Sequence, residues 1–81
     1  MIPNGNKNNI TAATPAQLGK VVRQQRKTQG LTQKELAGLC GVGVRFLGEL
    51  ERGKESCEIG KTMLIVKMLG ISLVLEVITD D

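Results

Sequence analysis

Two short stretches with helical apolar spacing, residues 33–40 and 44–52, meet across Gly41-Val42-Gly43, which leaves room for nothing but a tight turn. Glycine takes the positive φ that such a turn demands. Helices joined this closely must lean on one another, so a small side chain has to stand where they touch, and Ala37 supplies it. Val42, Leu47 and Leu50 then fall on the buried side. Thr32-Gln33-Lys34-Glu35 opens the first stretch as T-x-x-E, in which threonine and glutamate cap each other's backbone N–H groups. The segment QKELAGLCGVGVRFLGELER, residues 33–52, therefore folds as two packed helices whichever way the rest of the chain runs.

The flanking residues extend this pattern. Residues 1–13, MIPNGNKNNITAA, are rich in Asn and read as a flexible lead-in. Thr14-Pro15 then places a capping hydroxyl before a proline at the first helical position. A helix over 15–29 follows, with Leu18, Val21 and Val22 on its apolar face, Lys20, Arg23, Arg26 and Lys27 on other faces, and Gly30 as its stop. The second helix, 33–40, turns Leu36, Leu39 and Cys40 inward; the third ends at Gly53. A polar loop, 54–57, leads to a fourth helix over about 58–69 that presents Ile59, Met63, Val66 and Met68 or Leu69 inward. From residue 71 the period changes: Ile71-Ser72-Leu73-Val74-Leu75-Glu76-Val77-Ile78 alternates and is β-branched, as a strand is. A lone strand cannot satisfy its own backbone groups. Either it pairs with its copy in a second chain, through Leu73, Val74, Leu75 and Val77, or it frays or packs on a helix.

Eighty-one residues make one domain at most, with a core small enough to welcome a supplement. No disulfide framework or metal cluster offers one: Cys40 and Cys57 lie far apart, no C-x-x-C occurs, and there is no histidine. Oligomerisation is the remaining route. Cys40 reads as a small core residue, the alternative for either cysteine being a reactive or bridging thiol. Without a signal peptide or a membrane-length apolar run, a cytoplasmic protein with reduced thiols is expected. The absence of histidine and of a paired-carboxylate site argues against an enzyme, and no cofactor is expected.

Charge placement says more than the net +3. Residues 1–45 hold seven Lys or Arg against Glu35 alone, whereas residues 46–81 hold four bases and seven acids. A basic front half suits phosphate, with solvated helix faces as the plainer reading.

Together the spacing and the charge describe a helix-turn-helix, in which the helix from Val44 enters the major groove and its first residues lie nearest the bases. Its outward positions are Gly43, Val44, Arg45, Phe46, Gly48, Glu49 and Arg52. Arg45 is the foremost candidate for direct readout, because a guanidinium bonds guanine O6 and N7 together; the alternatives are a phosphate clamp or a surface ion pair. Val44 either touches a thymine methyl or is a tolerated apolar surface residue. Glu49 either accepts from cytosine N4 or pairs with a neighbouring Arg. Phe46, beside the core Leu47, packs at the helix edge or meets a base or sugar, and Gly48 leaves room for close approach. Gln33 can bond a phosphate at the start of its helix, and Lys34 and Arg23 can add charge there or be ordinary solvated bases.

GLTQKELAGLCGVGVRFLGELERGK, residues 30–54, resembles the Xre/Cro-type helix-turn-helix family, whose pattern runs roughly LTQxxLAxxxGVSxxxIsxxERGK. With KTMLIVKMLGISLVLEV, residues 61–77, the ending is similar to the HipB-like antitoxins. The sequence departs from the pattern at Gly43, where Ser or Thr is usual, and at Phe46 and Gly48, where small hydroxyl residues are commoner. The resemblance implies a mostly α fold: a four- to five-helix, lambda-repressor-like helix-turn-helix domain with a C-terminal β-strand pairing across a homodimer. The expected division is 1–13 lead-in, 14–70 DNA-binding domain, and 71–81 dimerisation strand and tail. It further implies a repressor of operator DNA that holds a HipA-like Ser/Thr kinase toxin inactive and represses its own operon. A stand-alone phage-type or metabolic repressor, and a protein-interaction module that never meets DNA, are the other readings.

Overall fold

A computed structural model describes residues 10–79. Among them are four helices: α1 (Pro15–Thr28), α2 (Gln33–Cys40), α3 (Val44–Glu51) and α4 (Ile59–Met68). The local signals act as the chemistry requires. Thr14 Oγ1 accepts from Gln17 N at 3.1 Å, with Pro15 filling the first helical position. At α2 the reciprocal cap forms in full, with Thr32 Oγ1 accepting from Glu35 N at 3.0 Å and Glu35 Oε1 accepting from Thr32 N at 2.9 Å. All four helices stop at a glycine with positive φ, whose successor's N–H reaches back to a carbonyl of the last turn. At Gly41 (φ 69°) this bond runs from Val42 N to the Ala37 carbonyl at 3.0 Å, and α3 can start three residues later.

Val22 of α1, Leu36, Ala37 and Cys40 of α2, and Leu47 and Leu50 of α3 close on Ile65, Val66 and Leu69 to form the core. Burial pushes the Cys40 thiol up from its ordinary range, as fits a small core residue. α1 and α3 touch through Gly19, where a Cβ would run into the backbone carbonyls of Leu50 and Glu51, the latter at 2.7 Å. The Gln25 and Gln29 side-chain amides both donate to the Leu69 carbonyl, at 3.2 and 2.8 Å, tying the end of α1 to the end of α4.

Three expectations need correction. Leu39 is 60% exposed, because α2 turns Leu36, Ala37 and Cys40 inward and leaves Leu39 beyond that stripe. α4 is rotated from its expected phase: Thr62, Ile65, Val66 and Leu69 face the core, while Ile59 and Met63 are 68% and 50% exposed. Arg26, assigned to an outer face, is 7% exposed, as is Glu51, and the two side chains meet inside the protein. Residues 71–79 carry no strand, and no strand is present among the described residues, since a ladder needs a neighbouring strand that the single chain does not supply. Leu73, Val74, Leu75 and Val77 accordingly stand exposed. Of the expected lead-in, residues 1–9 lie outside the described residues, and 10–13 are exposed without regular secondary structure. No helix among the described residues is long and apolar enough to cross a membrane.

Candidate nucleic-acid interface

The start of α3 is an exposed edge of the helical core. Gly43 caps it with extended backbone and no side-chain hydrogen bond, so its first N–H groups face outward uncapped. Val44 is half-exposed, and the Arg45 side chain is 90% exposed. Behind this edge Leu47 and Leu50 are buried, which fixes which face of α3 remains outside. Lys34 on α2 and Lys20, Arg23 and Lys27 on α1 are also exposed.

A buried ion pair holds α3 at its angle. Arg26 of α1 donates to Glu51 of α3 through Nε (2.7 Å) and Nη2 (3.0 Å), and its Nη1 donates to the Leu31 carbonyl at 2.7 Å. Gln33 Nε2 adds a bond to Glu51 Oε1 at 3.0 Å. Burial alone would raise the Glu51 carboxyl, but the hydrogen bonds from Arg26 and Gln33, with the charges of Arg26 and Arg23, hold it below its ordinary range. Glu51 in return raises the Arg26 guanidinium, against the cost of its burial. The cluster links α1, the start of α2 and the end of α3, a triangle that periodicity along one helix cannot reveal. Its sequence signal was indirect: two oppositely charged residues flanking apolar stripes 25 positions apart.

The expected contact residues fall into two groups. Gly43, Val44, Arg45, Lys34 and Arg52 are exposed. Gln33, Gly48, Phe46 and Glu49 are engaged within the protein. The Gln33 amide donates to Glu51, so its placement is set from inside. Gly48 is buried rather than open, because Gln33 and Arg52 lie across it; a Cβ there would come 3.3 Å from Arg52 Nη1 and 3.7 Å from Gln33 Oε1. Phe46 packs against the core with the Lys61 ammonium 5.6 Å from its ring centroid. Glu49 is ion-paired, with Lys54 Nζ 3.1 Å from Oε1 and Arg45 Nε 3.5 Å from Oε2, and the Lys54 hydrogen bond first of all lowers its carboxyl. What remains exposed is Gly43, Val44 and Arg45 along the first turn of α3, with Lys34 on α2 and Arg52 at the end of α3, on a backbone held from behind.

Known proteins share this fold. Solved structures similar to it include a HipB–O4 20mer complex, with a TM-score of 0.77 at 22% identity over 88% of this chain and 100% of that one. A HipA–HipB–O2–O3 complex gives a TM-score of 0.73 at 23% identity, over 90% of this chain and 100% of that one. At such identities the likeness is one of fold. Sequence carries the relationship further. The uncharacterized HTH-type transcriptional regulator y4mF of Sinorhizobium fredii is 50% identical over 60 residues, covering 74% of this chain and 79% of that protein. A helix-turn-helix family profile matches residues 22–75, from the middle of α1 through α4 into the tail. With the two packed helices and their glycine turn inside that match, the chain belongs to the Xre/Cro-type helix-turn-helix family.

Proposed function

We propose that this protein is a sequence-specific DNA-binding transcriptional repressor that acts as a homodimer and serves as the HipB-like antitoxin of a type II toxin–antitoxin system. The observation that carries the DNA reading is the exposed start of α3, with Gly43, Val44 and Arg45 outward on a helix fixed from behind by Arg26 and Glu51. A helix so held can enter a major groove with its N-terminal residues at the base edges. Lys34, Arg52 and Arg23 supply charge for flanking phosphates.

Dimerisation is supported by the apolar surface that one chain leaves open. Ile59, Met63, Leu64 and Met68 on the outer face of α4 are exposed, and beyond them so are Leu73, Val74, Leu75 and Val77. Monomeric proteins rarely leave so much contiguous apolar surface to water. A second copy covers it when the two 71–78 segments pair as an antiparallel ribbon, which also satisfies their backbone groups. In this reading residues 14–70 are the DNA-binding unit and 71–81 the dimerisation strand and tail. The protein is cytoplasmic and has no catalytic role.

The toxin partner rests on the likeness of fold to HipB, one of whose solved complexes contains HipA. The antitoxin binds a HipA-like Ser/Thr kinase and represses its own operon with it. Retardation of a palindromic promoter fragment, weakened by salt and weakened further by Arg45→Ala, tests the DNA reading; absence of retardation at low salt overturns it. Neutralisation of a kinase encoded beside it tests the antitoxin role. Retardation without neutralisation leaves a stand-alone repressor.

A further inference from the structure

Glu49 is an acid on the outer side of α3, where a duplex would bring phosphates, and such a carboxylate repels DNA unless it is neutralised. Here it lies between two cations. Lys54 is bound to it twice, its backbone N donating to the Glu49 carbonyl at 3.0 Å and its Nζ lying 3.1 Å from Oε1. The backbone bond belongs to the turn at Gly53 that ends α3. The second oxygen, Oε2, faces Arg45 one turn back, at 3.5 Å.

The contact with Arg45 is made through Nε, and this determines what the guanidinium can still do. Nη1 and Nη2 remain, and that end-on edge carries the two parallel N–H groups that match guanine O6 and N7. An arginine without a neighbouring acid must give up rotamer freedom to make such a contact, whereas the attraction of Glu49 for Nε biases the exposed Arg45 side chain toward one orientation beforehand.

This inference rests on the reading of the chain as a DNA-binding regulator. We propose that Glu49 reads no base but is a positioning residue: anchored by Lys54, it holds Arg45 by Nε so that Nη1 and Nη2 face one guanine in each half-site. Specificity at that base pair then belongs to Glu49 and Arg45 together.

The test starts from duplexes selected by the full-length protein from a randomised 20-base-pair pool. Affinities are then measured on the selected duplex and on single-base-pair variants of it, for the wild type, Glu49→Ala, Glu49→Gln, Arg45→Ala and Arg45→Ala/Glu49→Ala. Circular dichroism checks that each variant is folded. The wild type is expected to prefer guanine at one position by about 5- to 150-fold. Glu49→Ala should reduce that preference by about 2-fold, the worth of one exposed ion pair a helical turn apart, and leave other positions unchanged. Its affinity for unselected DNA should rise, because an acid has been removed; a merely structural role would lower both affinities. The double variant should discriminate as Arg45→Ala alone does. Loss of preference at a different, cytosine-bearing position in Glu49→Ala and Glu49→Gln would show that Glu49 reads a base and would overturn the proposal. An unchanged preference, or a uniform loss across all duplexes, would overturn it too while leaving DNA binding intact. A pool that yields no preferred sequence would sink the DNA reading and this inference with it.

Discussion

Replacing Glu51 with alanine should cost this protein much of its stability. The substitution removes the acceptor for Arg26 Nε at 2.7 Å, Arg26 Nη2 at 3.0 Å and Gln33 Nε2 at 3.0 Å. The Arg26 guanidinium then stays buried with the Leu31 carbonyl as its one remaining protein acceptor. Breaking a buried pair from one side costs about 3–5 kcal/mol, because the surviving charge has lost both water and partner. A chain of 81 residues has roughly 4–12 kcal/mol in total, at about 0.05–0.15 kcal/mol per residue. Thermal unfolding followed by far-ultraviolet circular dichroism, at one protein concentration for all variants, should therefore show a Tm lower by about 12–40 °C. With no Trp or Tyr in the chain, circular dichroism is the natural probe. Arg26→Met/Glu51→Leu removes both charges and should recover most of the loss. A Glu51→Ala protein within about 1 kcal/mol of wild type would place the pair among ordinary surface salt bridges. A double variant as unstable as the single one would show that the loss does not come from a stranded charge.

Acid should act through the same carboxylate. Because Glu51 titrates below its unfolded value of about 4.3, its contribution is complete above that pH and is lost as pH falls through the lower folded value. Denaturant midpoints measured between about pH 5 and 2 should fall more in the wild type than in Glu51→Ala, and parallel curves would contradict this. Gly19→Ala should destabilise by about 1–3 kcal/mol despite alanine's better helix propensity, since its Cβ meets carbonyl oxygens of α3. A raised Tm would mean that α1 and α3 separate freely. Gly43→Ser should gain a few tenths of a kcal/mol by capping α3, where an added Cβ meets nothing within 4 Å; chemical denaturation would register it, and a loss would count against the assigned cap. Deleting residues 72–81 should yield a destabilised, mostly monomeric chain in the ultracentrifuge, and a truncated protein that still sediments as a dimer would remove the tail from the interface.

Legibility in the sequence followed the range of the interaction concerned. The α2 boundaries, its T-x-x-E cap and the glycine stops depend on residues at most five apart, and each was readable. The Arg26–Glu51 pair spans 25 positions, and nothing beside either residue announces the other. Gly19 carried a readable hint, since glycine inside a helical stretch often marks a close approach, but its partner lies on α3. In α4 the periodicity itself misled. Ile59, Met63, Leu64, Ile65, Val66, Met68 and Leu69 are apolar nearly all round, so spacing fits more than one phase. The chosen phase put Ile59 and Met63 in the core, whereas Ile65 occupies it. A helix with a second apolar face is what a subunit contact would require. At the candidate interface, Arg45 was readable as an exposed arginine at the start of α3, whereas the covering of Gly48 by Gln33 and Arg52 depended on the tertiary fold.

The central claim, that the start of α3 enters a major groove in each of two half-sites, is tested most directly by methylation interference on the selected duplex. Dimethyl sulfate places a methyl group on guanine N7, in the major groove, where Arg45 is proposed to bond. Methylation should block binding at two clusters of guanines related by an inverted repeat, centred about 10–10.5 base pairs or a multiple of that apart. Binding unaffected by N7 methylation, or blocked at a single cluster, would contradict that claim.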